Sequence, residues 1–195
     1  MRTRSLRALL CPALAAALAC AHARPAAAEP RASATGPYAE AGLGAAGFIG
    51  AGGRHSRPGP AFALRGGVDL FSWFSLGARL ELQSHQADVP PPPEGEYFQL
   101  QLAAADARLG FPVGRFALFA DGGLGFAHMS TNILAKVDLL DPSESWSPLL
   151  SAGGGLEYQL QNRHYALGLA GQWMVLSSFS GMQSVGGRAY LRYTY

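Results

Sequence analysis

From Pro37 to the C-terminus, apolar and polar residues alternate with a period of two, the signature of extended strands with two unlike faces. Eight such segments follow one another. The first, about Tyr38 to Ile49, sets Ala39, Ala41, Leu43 and Ile49 against Glu40, Gly42 and Gly44. The second, near Ala61 to Leu70, sets Phe62, Leu64, Val68 and Leu70 against Arg65 and Asp69, and the third, Phe74 to Gln83, sets Leu76, Leu80 and Leu82 against Arg79, Glu81 and Gln83. The fourth is irregular. Phe98, Leu100, Leu102 and Ala104 share a face, after which the apolar phase moves to Ala105, Ala107, Leu109 and Phe111, so a β-bulge is expected within Ala103 to Ala105. The fifth (Phe116 to Phe126) opposes Phe119 and Asp121 to Leu118 and Leu124, and the sixth (Leu150 to Leu160) opposes Glu157 to Leu156. The seventh (Tyr165 to Val175) opposes Gln172 to Leu167 and Leu169, and the last (Val185 to Tyr195) opposes Arg188 and Arg192 to Ala189 and Leu191.

The connections alternate in length. Phe71-Ser72-Trp73, Pro112 to Arg115 and Gln161 to His164 are tight, whereas the connections after strands one, three and five are long and the one after strand seven is intermediate. The long ones hold Arg54-His55-Ser56-Arg57, Pro90 to Pro93 and Asp138 to Glu144; proline collects there because it cannot join a central ladder. Asn132 to Leu140 is expected to form a short helix in the third long loop. This asymmetry of turns and loops is that of outer-membrane barrels, and it puts both termini on the tight-turn side.

Which face meets which medium follows from charge. The apolar phase contains no Asp, Glu, Lys or Arg in any strand, whereas the opposite phase holds Glu40, Arg65, Asp69, Arg79, Glu81, Asp106, Arg108, Asp121, Glu157, Arg188 and Arg192. A basic residue at mid-depth on a lipid-facing wall costs about 2–4 kcal/mol, so a wall against lipid is kept free of charge. Charges enclosed by a narrow barrel must instead pair, as with Arg79 and Glu81 or Asp69 and Arg65. Aromatic residues at strand ends complete two expected girdles: Phe74, Phe111, Phe116, Tyr158, Tyr165, Tyr193 and Tyr195 at the tight-turn end, and Phe48, Phe62, Phe98, Phe126 and Trp173 at the other. In lipid every backbone N–H and C=O must bond within the protein, which only helices and closed sheets achieve. The sequence therefore predicts an all-β fold, an eight-stranded antiparallel up-and-down transmembrane β-barrel over residues 37–195.

Three stretches resemble the small eight-stranded bacterial outer-membrane barrels of the OmpA and OmpX type: Asp69 to Gly77, Gly114 to Gly125, and the ending Ala189-Tyr190-Leu191-Arg192-Tyr193-Thr194-Tyr195. The resemblance implies outer-membrane localisation. It also implies that the last strand, ending on aromatic Tyr195, is read by the outer-membrane insertion machinery. It says nothing about activity, because one fold hosts unrelated tasks.

The N-terminus belongs to targeting. Arg2, Arg4 and Arg7 precede an apolar run from Ala8 to Ala19, and Ala21-His22-Ala23 and Ala26-Ala27-Ala28 each offer a small-residue cleavage site. Residues 1–28 thus read as a secretory signal peptide cut after Ala23 or Ala28, with residues 29–36 as a flexible lead-in. The apolar run is short for a membrane-spanning helix. Both cysteines, Cys11 and Cys20, lie in it, so the mature chain has neither disulfide nor thiolate metal site; the box before Cys20 fits a lipoprotein signal poorly, and lipidation is not expected. The basic balance also belongs to this segment: cleavage after Ala28 leaves 11 basic against 13 acidic residues, and no basic face for nucleic acid.

Candidate chemistry is sparse. Gly42-Leu43-Gly44-Ala45-Ala46-Gly47 matches G-x-G-x-x-G but lacks the strand before and the helix after that a dinucleotide site needs. His128-Met129-Ser130-Thr131-Asn132 places a base two residues from a nucleophile, on the lipid side of the fifth strand near its outer end. This resembles the His-x-Ser-Asn motif of outer-membrane lipid A deacylases, although Thr131 separates Ser130 from Asn132 and the motif sits on an earlier strand. His22, His55, His85 and His164 are scattered and suggest no metal site. The leading expectation is a non-enzymatic, monomeric integral outer-membrane protein with no cofactor or metal. Outer-membrane lipid and lipopolysaccharide surround it, and its long loops carry an envelope or surface role. Alternatives are a lipid A-modifying enzyme built on His128 and Ser130, and a soluble periplasmic ligand-binding barrel. An eight-stranded barrel is just wide enough to be filled by side chains, so open-porin behaviour is not expected.

Overall fold

The computed structural model describes residues 36–88, 96–130, 145–162 and 164–195. Eight barrel strands run in chain order: β1 (Gly36–Ile49), β2 (Gly59–Phe71), β3 (Phe74–Ala87), β4 (Tyr97–Val113), β5 (Phe116–Met129), β6 (Trp146–Gln159), β7 (Tyr165–Leu176) and β8 (Met182–Thr194). Each strand pairs antiparallel with the next, and β1 pairs with β8 from Tyr38↔Thr194 to Ile49↔Gln183, so the sheet closes without an edge. Closure satisfies every strand's backbone inside the protein, as a bilayer requires. One helical turn, α1 (Ala51–Arg54), and a two-residue strand, Ser56–Arg57, occupy the first long connection; the latter pairs with Gln86 and Ala87 at the end of β3.

The uncharged phase points outward. Leu64, Leu80, Leu167 and Leu191 are between 45% and 60% exposed, while Arg65 and Glu81 are 4% and 6% exposed. A soluble carrier barrel would show the reverse arrangement. The strands extend beyond the expected limits mainly at the long-loop end. Among the described residues the tight turns are Ser72-Trp73, Gly114-Arg115 and the segment around Asn162; Gly114 adopts a φ of 64°, which its missing Cβ permits. The expected helix over Asn132 to Leu140 and the loop stretches Pro90 to Pro93 and Asp138 to Glu144 lie outside the described residues.

Two expectations require correction. No bulge interrupts β4: its register with β3 and β5 is continuous through Ala103, Ala104 and Ala105. Phe98, Leu100, Leu102 and Ala104 instead share the inward face with Asp106 and Arg108. The apolar phase does not slip; the medium changes, because the inward face becomes apolar near the long loops. The one irregularity of register in the β2–β3 pair falls at Asp69/Phe71, beside the tight turn. For the same reason Phe48 and Phe98 are not girdle residues. Both are buried in the lumen, where their rings stack with each other at 6.0 Å and flank the buried imidazole of His85. Tyr97 and Trp146, unassigned by periodicity, are exposed on the outer wall at that end.

Candidate functional site

The lumen is built in two unlike halves by the inward-facing residues of all eight strands. The half toward the tight turns holds the eleven charged residues of the polar phase. Arg108, on β4, is its hub: its guanidinium lies 3.2 Å from Glu40, 3.6 Å from Asp121 and 3.6 Å from Glu157, and its Cζ sits 4.0 Å from the centre of the Phe119 ring. Arg65 pairs with Asp106 and, at 3.3 Å, with Asp121. Arg79 lies 3.7 Å from Glu81, as expected, and donates to Ser151 Oγ at 3.2 Å. Asp69 does not pair with Arg65 as expected; Arg192 takes it, reaching from β8 across β1, where Asp69 stands opposite Gly36, which has no side chain. Arg188 lies 3.7 Å from Glu40 and donates to Gln172 Oε1 at 3.0 Å.

Aromatic rings brace this network, and glycines on neighbouring strands make room for them. The Tyr190 hydroxyl donates to Glu157 Oε2 at 3.2 Å, and the hydroxyl end of its ring lies against Gly168 on β7. A Cβ at Gly168 would come within 2.1 Å of Tyr190 Cζ. Arg192 stacks on Tyr38 at 3.8 Å, and the Tyr38 hydroxyl sits over Gly77. Gly168→Ala should therefore displace Tyr190 and cost about 1–3 kcal/mol, the usual penalty of overpacking. Urea unfolding in bilayers checks this, and an unchanged midpoint would contradict the packing role.

The half toward the long loops is a mainly apolar plug that also buries Gln83, His85, Ser147 and Ser184. Phe48, Phe98, Leu100, Met129, Leu149, Met174, Leu176, Phe179 and Met182 form one buried cluster. Phe179 reaches it from the turn between β7 and β8, where Ser180 and Gly181 adopt positive φ of 51° and 66°. At the opposite mouth a cavity of about 60 Å³ opens between the tight turns, lined among others by Asp69, Arg108, Glu157, His164 and Arg192. Periodicity did not identify the plug, although parity could have: Leu100 shares it with Arg108, Met129 with Asp121, Met174 with Gln172, and Met182 with Arg188.

The sequence candidates for chemistry are dispersed. Gly42, Gly44 and Gly47 lie inside β1, whose backbone is paired on both sides and cannot cradle a phosphate. His128 faces outward at the end of β5, and its ring packs against Trp146, tilted by 44° with centroids 4.6 Å apart. The Ser130 hydroxyl accepts a hydrogen bond from the Gln99 N–H at 3.0 Å. His85 faces the Arg57 carbonyl and Gln83 inside the plug, and His164 lies 2.8 Å from the Thr194 carbonyl at the tight-turn mouth. Among the described residues no group of His, Cys, Asp and Glu is placed to hold a metal ion.

Comparison with known proteins agrees with this architecture. Neisserial surface protein A has 15% identity and a TM-score of 0.61, over 82% of this chain and 97% of the neisserial one. The outer membrane protein OprG from Pseudomonas aeruginosa has 13% identity and a TM-score of 0.55, over 82% and 96%. The N-terminal β-barrel domain of Pseudomonas aeruginosa OprF has 13% identity and a TM-score of 0.51, over 82% and 99%. At these identities the likeness is one of fold. No curated protein matches the sequence. The family described as outer membrane protein beta-barrel domain matches residues 13–184, and with its closed sheet, uncharged outer wall and charged lumen this chain belongs to that outer-membrane family.

Proposed function

We propose that this outer-membrane barrel is a non-enzymatic, monomeric envelope protein whose long loops carry its specific role at the cell surface. The observation that carries the reading is the filled lumen. Arginines and carboxylates pair across one half, and apolar side chains close the other. Ions crossing such a barrel would have to shed water against the apolar half, which acts as a dewetted constriction. In this reading residues 1–28 direct export and are removed after Ala23 or Ala28, and residues 29–36 lead into the barrel. The insertion machinery then engages β8, whose outward residues alternate toward Tyr193 and Tyr195.

Planar-bilayer recording tests the reading. The folded protein should give no large, stable conductance, and such a conductance would overturn the filled-lumen argument. A parallel assay of lipid A deacylation with the native protein and Ser130→Ala should find no activity in either. Activity present in the native protein and lost in Ser130→Ala would instead make the protein an enzyme.

A further inference from the structure

On the outer wall, β2, β3, β4 and β5 carry a groove of about 330 Å³, bounded on β2 by Phe62 and Leu64, at the small end of ligand-pocket sizes. Two rows of directly paired residues form it. Leu80, Ala103 and Phe126 are cross-strand partners in one row. Leu82, Gln101 and His128 are partners in the next, extended by Trp146 on β6. Ala103 is the low point: its methyl lies between the larger Leu80 and Phe126, so the floor is low and the walls are high. Trp146, itself exposed, closes the end of the groove against the His128 ring.

Gln101 and His128 are out of character with their surroundings. They project from a lipid-facing wall whose neighbours at this level are Leu82 and Phe126, and neither side chain has a hydrogen-bond partner among the described residues. A polar side chain left without a partner beside hydrocarbon is costly. No described residue supplies that partner, whereas lipid against the wall can, because the groove is continuous with the lipid-facing belt. The groove also lies at the long-loop end, which in barrels of this kind is the cell-surface side, where lipopolysaccharide forms the outer leaflet. Lipopolysaccharide acyl chains bear ester and hydroxyl oxygens near the sugar and plain hydrocarbon beyond, an arrangement that matches a polar rim above an apolar trough.

We propose that this groove seats one acyl chain of lipopolysaccharide. The Gln101 amide and the His128 imidazole hydrogen-bond the ester or hydroxyl oxygens at its head, and the chain runs over Ala103 between Leu80 and Phe126.

The test is the lipopolysaccharide retained by the full protein purified from outer membranes in mild detergent, read as 3-hydroxy fatty acid per protein by mass spectrometry. The native protein should retain a stoichiometric amount. Ala103→Phe fills the groove; excluding two methylenes is worth roughly tenfold in occupancy, and retention should fall by that order. Gln101→Leu, which leaves the trough open but removes the rim amide, should also lower retention. Ala189→Phe, on the outward face of β8 between Leu43 and Leu169 and away from the groove, should leave it unchanged. Heat-modifiable gel mobility reports folding, and if Ala103→Phe does not fold, Gln101→Leu decides. A native protein that retains no lipopolysaccharide, or phospholipid in its place, overturns the proposal. So does equal retention by native protein and the folded groove variants.

Discussion

Replacing Arg108 with Ala should destabilise the barrel by about 3–5 kcal/mol, the cost of breaking a buried ion pair by removing one partner. The guanidinium lies within 3.6 Å of three carboxylates on three other strands, Glu40, Asp121 and Glu157, and it covers the face of the Phe119 ring. Alanine leaves those three anions facing one another with the cation gone and opens a void beneath Phe119. Arg188 and Arg192 neutralise part of the deficit through Glu40 and Glu157, but neither can move to the vacated position while holding Gln172 and Asp69. Urea titration of the refolded protein in phospholipid bilayers reads the loss directly. A shift below about 1 kcal/mol, the scale of an exposed ion pair, would mean that water rather than protein satisfies these groups. Arg108→Lys separates charge from geometry, since lysine keeps the cation but loses the planar fork that reaches several carboxylates at once.

The second large effect is expected on the opposite face of the sheet. Leu169 lies midway along β7, between Tyr165 near the tight turns and Trp173 near the long loops, and it is 63% exposed on the outer wall. Leu169→Arg should cost about 2–4 kcal/mol in a bilayer, because it puts an unpaired cation at mid-depth in hydrocarbon. Val175→Arg, at the rim of the same strand, should cost only about 0–1 kcal/mol, because the side chain reaches the interface. The contrast between the two variants tests the membrane placement, since both add the same charge to the same strand. Equal costs at Leu169 and Val175 would indicate that the wall is not graded by a bilayer. In detergent the difference should shrink, as micelles thin around a charge more readily than bilayers do.

These two experiments probe the two surfaces of one sheet, and they bear on why the fold is stable where it is. The charged lumen is not itself a source of stability, since burying ions costs about as much as pairing them returns. What favours the fold in lipid is closure of the backbone ladder, with an outer wall that can meet hydrocarbon everywhere along its length. The interior then needs only to be filled, with charges of opposite sign set against one another. Eleven charged side chains do this in one half and a cluster of Phe, Leu and Met in the other.

The sequence by itself determined the number of strands, their order, and the side each residue takes. Side chains alternate strictly along a strand, so Arg65, Arg79, Arg108 and Arg192 could not share a face with Leu64, Leu80, Leu109 and Leu191. The absence of charge from one phase decided which face meets lipid. Along β4 the same parity rule would have placed Phe98 and Leu100 inside; reading hydrophobicity rather than parity suggested a bulge that does not exist. Only the tertiary structure decided the contacts. Whether Asp69 meets Arg65 or Arg192, which three carboxylates surround Arg108, and that Gly168 makes room for Tyr190 all depend on the stagger between strands and the curvature of the closed sheet. That geometry is fixed by closing β8 onto β1, and the cross-barrel distances it sets join residues far apart in the chain, for which a period of two carries no information.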